Sequence, residues 1–314
     1  MRISRHDMFG TQADTETGSD RALAGSYGRA PSEYRVPSAT RLGAVALQVS
    51  DLARSLEYYQ QLLGLAVLAQ DDQTVSLGGV GATEPVVILR DVPGTRPVAP
   101  GSRLGLYHFA LLLPDRPSMG RFITHLADIG ARAGSSDHLV SEALYLQDPD
   151  GLGIEVYVDR PRDSWRRADR ELMMATDPLD LADLVRAANG VPWTGMPLDT
   201  VMGHVHLHVG DLDAADAFYA EGLGFDRMVW RYPGALFLGA GGYHHHLGTN
   251  TWARGAVAPR AQDAKLLAWT IVLPSADDVA ALRTHLASRG VAVNDEPEGM
   301  LLADPWGTPV RVRA

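Results

Sequence analysis

The chain repeats itself. "LGAVALQVSDLARSLEYYQQLLGL" (42–65) lies on "MGHVHLHVGDLDAADAFYAEGLGF" (202–225), with Asp51 on Asp211, Tyr59 on Tyr219 and Gly64 on Gly224. The same offset sets "YHFALLLPDRPSMGRFITHLADIG" (107–130) on "LAWTIVLPSADDVAALRTHLASRG" (267–290), including a shared T-H-L-A. Each unit reads as an alternating strand, an amphipathic helix, then shorter strands joined by Gly-rich turns. Asp51 and Asp211 stand where helix caps belong, and Gly64, Gly130, Gly224 and Gly290 where helices stop. This gives four strand-helix-strand-strand-strand modules at 42–95, 105–160, 202–252 and 265–314.

One such module has a single curved sheet with a helix on its outer face. Two modules together close an open barrel around a cavity, so four make two cavities. The expected fold is therefore α+β, with four βαβββ modules forming two open barrels. The expected division is a mobile arm over 1–40, a first pair of modules over 41–160, a connector over 161–200 and a second pair over 201–314. The connector holds one helix, "DLADLVRAA" (180–188), and is long enough to carry the chain across the molecule.

The net charge of −10, without any basic run, argues against nucleic acid. No apolar run approaches the roughly 20 residues of a membrane span. The N-terminus lacks a basic-then-apolar signal pattern, so a cytoplasmic location is expected. A homo-oligomer is allowed by the sequence but not read from it. There are no cysteines, so any metal must sit on histidine and carboxylate.

The stretch "DHLVSEALYLQDPDGLGIEVY" (137–157) sets His138, Tyr145 and Glu155 around a tight D-P-D-G turn. In the strand G-I-E-V-Y, Ile154 and Val156 share one face and Glu155 and Tyr157 the other. Glu155 then either meets solvent or contributes to a metal site completed from elsewhere in the chain.

The four-module pattern resembles the vicinal oxygen chelate superfamily of glyoxalases, bleomycin-resistance proteins and extradiol dioxygenases. The 137–157 stretch resembles the extradiol ring-cleavage pattern, on His138, Leu144-Tyr145, Asp148-Pro149, Gly151 and Glu155, with Ser136 as a mild departure. The likeness is to the bacterial catechol 2,3-dioxygenase type and spans about 42–314.

That resemblance implies a divalent metal, Fe(II) with Mn(II) as the alternative, on two histidines and a glutamate. It maps Glu155 as the carboxylate and His108 as one imidazole. The other imidazole falls on His204, because Ala44 holds that position in module one. Ala268, Leu301 and Arg311 stand where module two has His108, Tyr145 and Glu155, so modules one and four are blank. The resemblance further implies an acid–base histidine in "GGYHHHLGTNTW" (241–252), with His245 ahead of His246, and hydrogen bonds from His138 and Tyr145 to substrate oxygens. His206 and His246 are expected to line the substrate pocket. The implied partners are a small aromatic diol and dioxygen, and the implied product is of the 2-hydroxymuconic semialdehyde type.

Plainer readings stand beside these. His125 and His285 share one repeat position on helices and read as structural. His6 lies in the arm. His204, His206 and His208 share one strand face, and an H-x-H pair there could itself bind zinc, with His208 toward the rim. Two other functions fit the same fold: a glyoxalase- or epimerase-like metal lyase, and a metal-free binder of planar aromatic compounds. The extradiol reading carries one structural condition. Module two must pair with module three, or His204 and Glu155 fall in separate cavities.

Overall fold

A computed structural model describes residues 19–314. Residues 1–18, including His6, belong to the expected arm and lie outside the described residues. From residue 19 onward that segment is seated on the body. Strand β1 (Asp20–Arg21) pairs with a later strand, Tyr27 donates to the Gly242 carbonyl at 2.7 Å, and Arg35 grips Asp226.

Module one comprises β2 (Arg41–Val49), α1 (Leu52–Gln61), β3 (Ala66–Gln70), β4 (Thr74–Gly78) and β5 (Val87–Asp91). Module two comprises β6 (Gly105–Leu112), α2 (Arg116–Asp128), β7 (Gly134–Asp137), β8 (Ser141–Gln147) and β9 (Gly153–Asp159). The connecting stretch holds β10 (Arg166–Ala168), β11 (Glu171–Leu172) and α3 (Leu181–Ala187). Module three has β12 (Val201–His208), α4 (Leu212–Ala215), β13 (Asp226–Val229), β14 (Ala235–Gly239) and β15 (Leu247–Asn250). Module four has β16 (Lys265–Val272), α5 (Ala276–Ser288), β17 (Asn294–Glu296), β18 (Gly299–Ala303) and β19 (Pro309–Arg313). In module three the helix widens to π geometry over Asp216–Gly222, whereas the repeat partner in module one is α-helical throughout.

The caps follow the sequence. Asp51 and Asp211 accept the backbone N–H groups of Arg54 and Ala214 at 3.0 and 2.8 Å. Gly64, Gly130, Gly224 and Gly290 take positive φ of 74, 69, 90 and 70° just past the helices.

The strand order decides the pairing. One eight-stranded sheet runs β13-β14-β15-β12-β6-β9-β8-β7, and the other runs β17-β18-β19-β16-β2-β5-β4-β3. Module two is thus joined to module three through the antiparallel β6–β12 seam, and module one to module four through β2–β16. Apolar residues that point away from each concavity, among them Phe109, Leu111, Ile154, Val156, Val205 and Leu207, enter one continuous core under the helices.

The two helix histidines are structural, and they repeat. His125 Nε2 donates to the Gln61 carbonyl at 3.0 Å, and His285 Nε2 to the Glu221 carbonyl at 2.9 Å. Each secures the end of the helical segment in the neighbouring module.

Candidate metal centre

Strand alternation sends one face of β6, β9 and β12 into the cavity of the module two–three barrel. His108 comes from β6, Glu155 from β9, and His204, His206 and His208 from β12. The antiparallel register sets His206 against His108 and His204 against Ala110, with irregularities on either side of the 204–206 stretch.

Three donor atoms converge. His108 Nε2 lies 3.0 Å from Glu155 Oε2, His204 Nε2 lies 3.1 Å from the same oxygen, and the two nitrogens are 3.3 Å apart. All three residues are buried, at 4%, 2% and 2% exposure. Among the described residues this is the group of His, Asp and Glu side chains close enough to share one ion. Two ligands at right angles, each about 2.1 Å from an ion, sit about 3.0 Å from each other, so the spacing fits a face of three donors.

The electrostatics fit as well. Burial alone would raise the Glu155 carboxyl, but His204 and His108 outweigh it and hold the group well below the usual carboxylate range. Burial lowers the His108 imidazole despite its bond to Glu155. A carboxylate held anionic beside two imidazole nitrogens is the donor set of a divalent cation. Without one, a buried Glu155 is left against two ring nitrogens at considerable desolvation cost.

Around this face lie the other histidines. His245 is 4% exposed, with its ring 4.1 Å from that of His204, and burial pushes it well down. His206 packs against His108 at 5.0 Å and Tyr107 at 5.2 Å, and its buried Nε2 has no hydrogen-bond partner. Gly248 makes room for it, because a Cβ there would come within 2.8 Å of the His206 ring. His208 Nδ1 donates to Asn250 Oδ1 at 2.7 Å and sits under the half-exposed Tyr107.

His138 Nδ1 lies 2.6 Å from the Ala175 carbonyl, an obligate acceptor, so that nitrogen carries the proton. With one proton on the ring, Nε2 accepts the Tyr145 O–H. The Tyr145 ring lies 5.6 Å from His108, and burial, aided by Glu155, pushes its phenol well above the ordinary range.

His246 is not among the residues brought together. It lies in the irregular stretch just before β15, where its Nδ1 accepts the Ala240 N–H at 3.1 Å and its ring meets Tyr243 and Phe225. Burial lowers it to about 3.

Sequence reasoning gave no role to Asp159, His244, Tyr243 and Tyr157, which lie directly behind the centre. Asp159 Oδ1 bonds His244 Nε2 at 2.8 Å, and Tyr157 Oη bonds Tyr243 Oη at 2.6 Å. One signal was present: Glu155, Tyr157 and Asp159 alternate along one face of β9.

Among the described residues the second barrel has no such group. Arg311, at the repeat position of Glu155, is instead bound through Nη2 to Glu296 at 3.0 Å.

Comparison with known proteins accords with this geometry. The model of the Glyoxalase/Bleomycin resistance protein/Dioxygenase superfamily matches residues 41–156 and 201–309. A catechol-2,3-dioxygenase of Bacillus subtilis is 41% identical over 271 residues, covering 85% of this chain and 94% of that protein. Among solved structures, a candidate dioxygenase of Bacillus subtilis superposes with a TM-score of 0.62 at 13% identity, over 89% of this chain and 86% of the other. Glyoxalase I of Zea mays superposes with a TM-score of 0.52 at 19% identity, over 88% and 92%. At such identities the structures speak for the fold alone. With its four repeated modules matched in two blocks, the chain belongs to the Glyoxalase/Bleomycin resistance protein/Dioxygenase superfamily.

Proposed function

We propose that this protein is an extradiol ring-cleaving dioxygenase that inserts both atoms of dioxygen into a catechol, giving a product of the 2-hydroxymuconic semialdehyde type. The observation that carries the reading is the convergence of His108, Glu155 and His204 on one buried point. It is supported by 41% identity to a protein named catechol-2,3-dioxygenase over most of both chains.

In this reading His108, Glu155 and His204 hold ferrous iron, with manganese as the alternative. Bound there, the ion supplies redox capacity toward dioxygen and a charge for the diol oxygens. The single carboxylate, Glu155, leaves one net positive charge on a divalent centre, which a singly deprotonated catechol neutralises.

The remaining roles fall to the chain's own groups. Tyr145, held by His138, hydrogen-bonds a diol oxygen, and His138 takes up or returns a proton at Nε2. His206 offers its unpartnered Nε2 to the substrate. His245, adjoining His204, is the general acid–base. Tyr107, Trp252, Phe237 and Tyr232 surround His206 with rings set mostly edge to face, which suits a flat aromatic guest.

The test is aerobic incubation of anaerobically iron-loaded protein with catechol, followed by absorbance. A yellow ring-opened product is expected. Tight metal and catechol binding with no oxygen consumption would overturn the assignment in favour of a lyase.

A further inference from the structure

One carboxylate behind the candidate metal centre gathers two hydrogen-bonded chains, and both end on the ring of His204. Asp159 Oδ1 lies 2.8 Å from His244 Nε2 and 3.2 Å from Tyr243 Oη. In one branch His244 Nδ1 lies 2.7 Å from His245 Nδ1. In the other, Tyr243 Oη lies 2.6 Å from Tyr157 Oη. The His245 and Tyr157 rings then pack 4.1 and 4.9 Å from His204. Tyr157 reaches this position because Gly203 has no Cβ, whose place would be 1.9 Å from the phenol oxygen.

Hydrogen-bond direction follows from the ends. A carboxylate oxygen accepts, so His244 Nε2 and Tyr243 Oη both donate to Asp159. Tyr243 has spent its only O–H, so Tyr157 donates to it. With one proton per ring, His244 Nδ1 is a lone pair, and the hydrogen on the bond to His245 must be carried by His245 Nδ1. The opposite assignment sets two lone pairs against each other at 2.7 Å. His245 Nε2 is then the unprotonated nitrogen, on the ring edge away from His244, and it has no hydrogen-bond partner among the described residues. A free histidine prefers the other tautomer, with hydrogen on Nε2, so the arrangement needs an acceptor at its far end.

We propose that Asp159 is a positioning residue that acts through His244 to hold the proton of His245 on Nδ1, leaving the Nε2 lone pair free to take a proton from substrate. The proposal deepens the acid–base reading of His245 and rests on that reading for its catalytic consequence alone. The carboxylate that does this is 29% exposed and lines a groove of about 270 Å³ with Asp115, Arg116 and Asp199. The acceptor therefore sits outside the cavity and away from substrate.

The experiment reads the tautomer directly, by nitrogen NMR of ¹⁵N-histidine-labelled, metal-free protein, with His245 assigned through His245→Phe. Wild type is expected to show His245 protonated on Nδ1. Asp159→Asn, whose carbonyl can occupy the Oδ1 position, should keep that form. Asp159→Ala and His244→Phe should each shift His245 toward the Nε2–H form. A wild-type His245 protonated on Nε2 overturns the proposal, as does an unchanged tautomer in Asp159→Ala or failure of Asn to preserve it. In the iron-loaded enzyme, Asp159→Ala should lower kcat by about 10–100-fold, the usual range for groups behind a metal site, with KM for catechol little changed and Asn restoring most of the rate. If wild type does not turn over catechol, the acid–base reading fails, and the tautomer measurement still decides the role of Asp159.

Discussion

His108 and His204 are 96 residues apart in the chain, yet their Nε2 atoms face each other at 3.3 Å across the seam between β6 and β12. Among the described residues that seam is where modules two and three share a sheet, and Glu155 Oε2 closes the triangle from β9, the strand next to β6.

The first prediction removes the charge from that triangle. Glu155→Gln keeps the shape but leaves neutral donors around a divalent ion. Iron or manganese content is expected to fall from about one per chain to a small fraction. Elemental analysis after dialysis checks this, and metal retained at the wild-type level would remove Glu155 from the site.

Turnover should separate two histidines. His245→Phe is expected to keep metal and catechol binding while lowering kcat about 100-fold or more, the scale of general acid–base groups. His138→Phe breaks the link from the Ala175 carbonyl to Tyr145, so both KM and kcat for catechol should change. Steady-state kinetics with metal content matched to wild type test both. A His245→Phe enzyme of normal speed would strip that ring of its role.

Gly203 tests the packing beneath His204. Gly203→Ala puts a methyl where the Tyr157 hydroxyl now lies, 1.9 Å away. Overpacking of this kind costs about 1–3 kcal/mol, and displacing Tyr157 also moves its ring from His204. Both Tm and metal affinity are expected to drop. A variant that loses neither would show that Tyr157 has another resting place.

How much of this could be read before folding is uneven. The repeat located the modules, caps and terminating glycines, because those signals are local and recur. His108, Glu155 and His204 were marked by the resemblance to the extradiol pattern, and the repeat added only that modules one and four, with Ala44, Ala268 and Arg311 at matching positions, lack the set. The Asp159–His244 contact was not legible. It joins residues 85 apart in sequence through side-chain reach across two modules, and neither residue stands in a repeated motif. The placement of His246 was not legible either, because the three adjacent histidines lie in an irregular stretch between β14 and β15, where no strand period says which of them points in. Nor did composition show that residues 19–40 are seated, since Tyr27 and Arg35 find their partners far along the chain.

A last prediction concerns pH and lies in the D-P-D-G turn. Asp148 is 5% exposed, and burial pushes its carboxyl up to about 7, against the N–H groups of Leu152 and Asp150 that it accepts. The unfolded chain has an ordinary aspartate near 3.9, so between about 4 and 7 the folded state binds more protons than the unfolded one. This contribution to stability is therefore full below pH 4 and is lost as pH rises through 7. Asp148→Asn can still accept both N–H groups and has no charge to bury. Its stability relative to wild type should rise from pH 4 to pH 8 by on the order of 1 kcal/mol or more. Parallel urea-unfolding curves across that range would contradict the assignment.

The nesting of the modules also orders events during synthesis. β6, β9 and β12 are all complete once residue 208 has emerged, so the inner barrel can begin to close while the ribosome is still translating. β2 has no such option, because its partner β16 begins at Lys265. From the end of β2 at Val49 to the start of β16 is a wait of about 10–45 s at ordinary elongation rates. Throughout that interval module one carries an open strand edge. The blank half of the molecule is therefore the one whose assembly finishes last, and the half bearing the candidate metal centre can form before it.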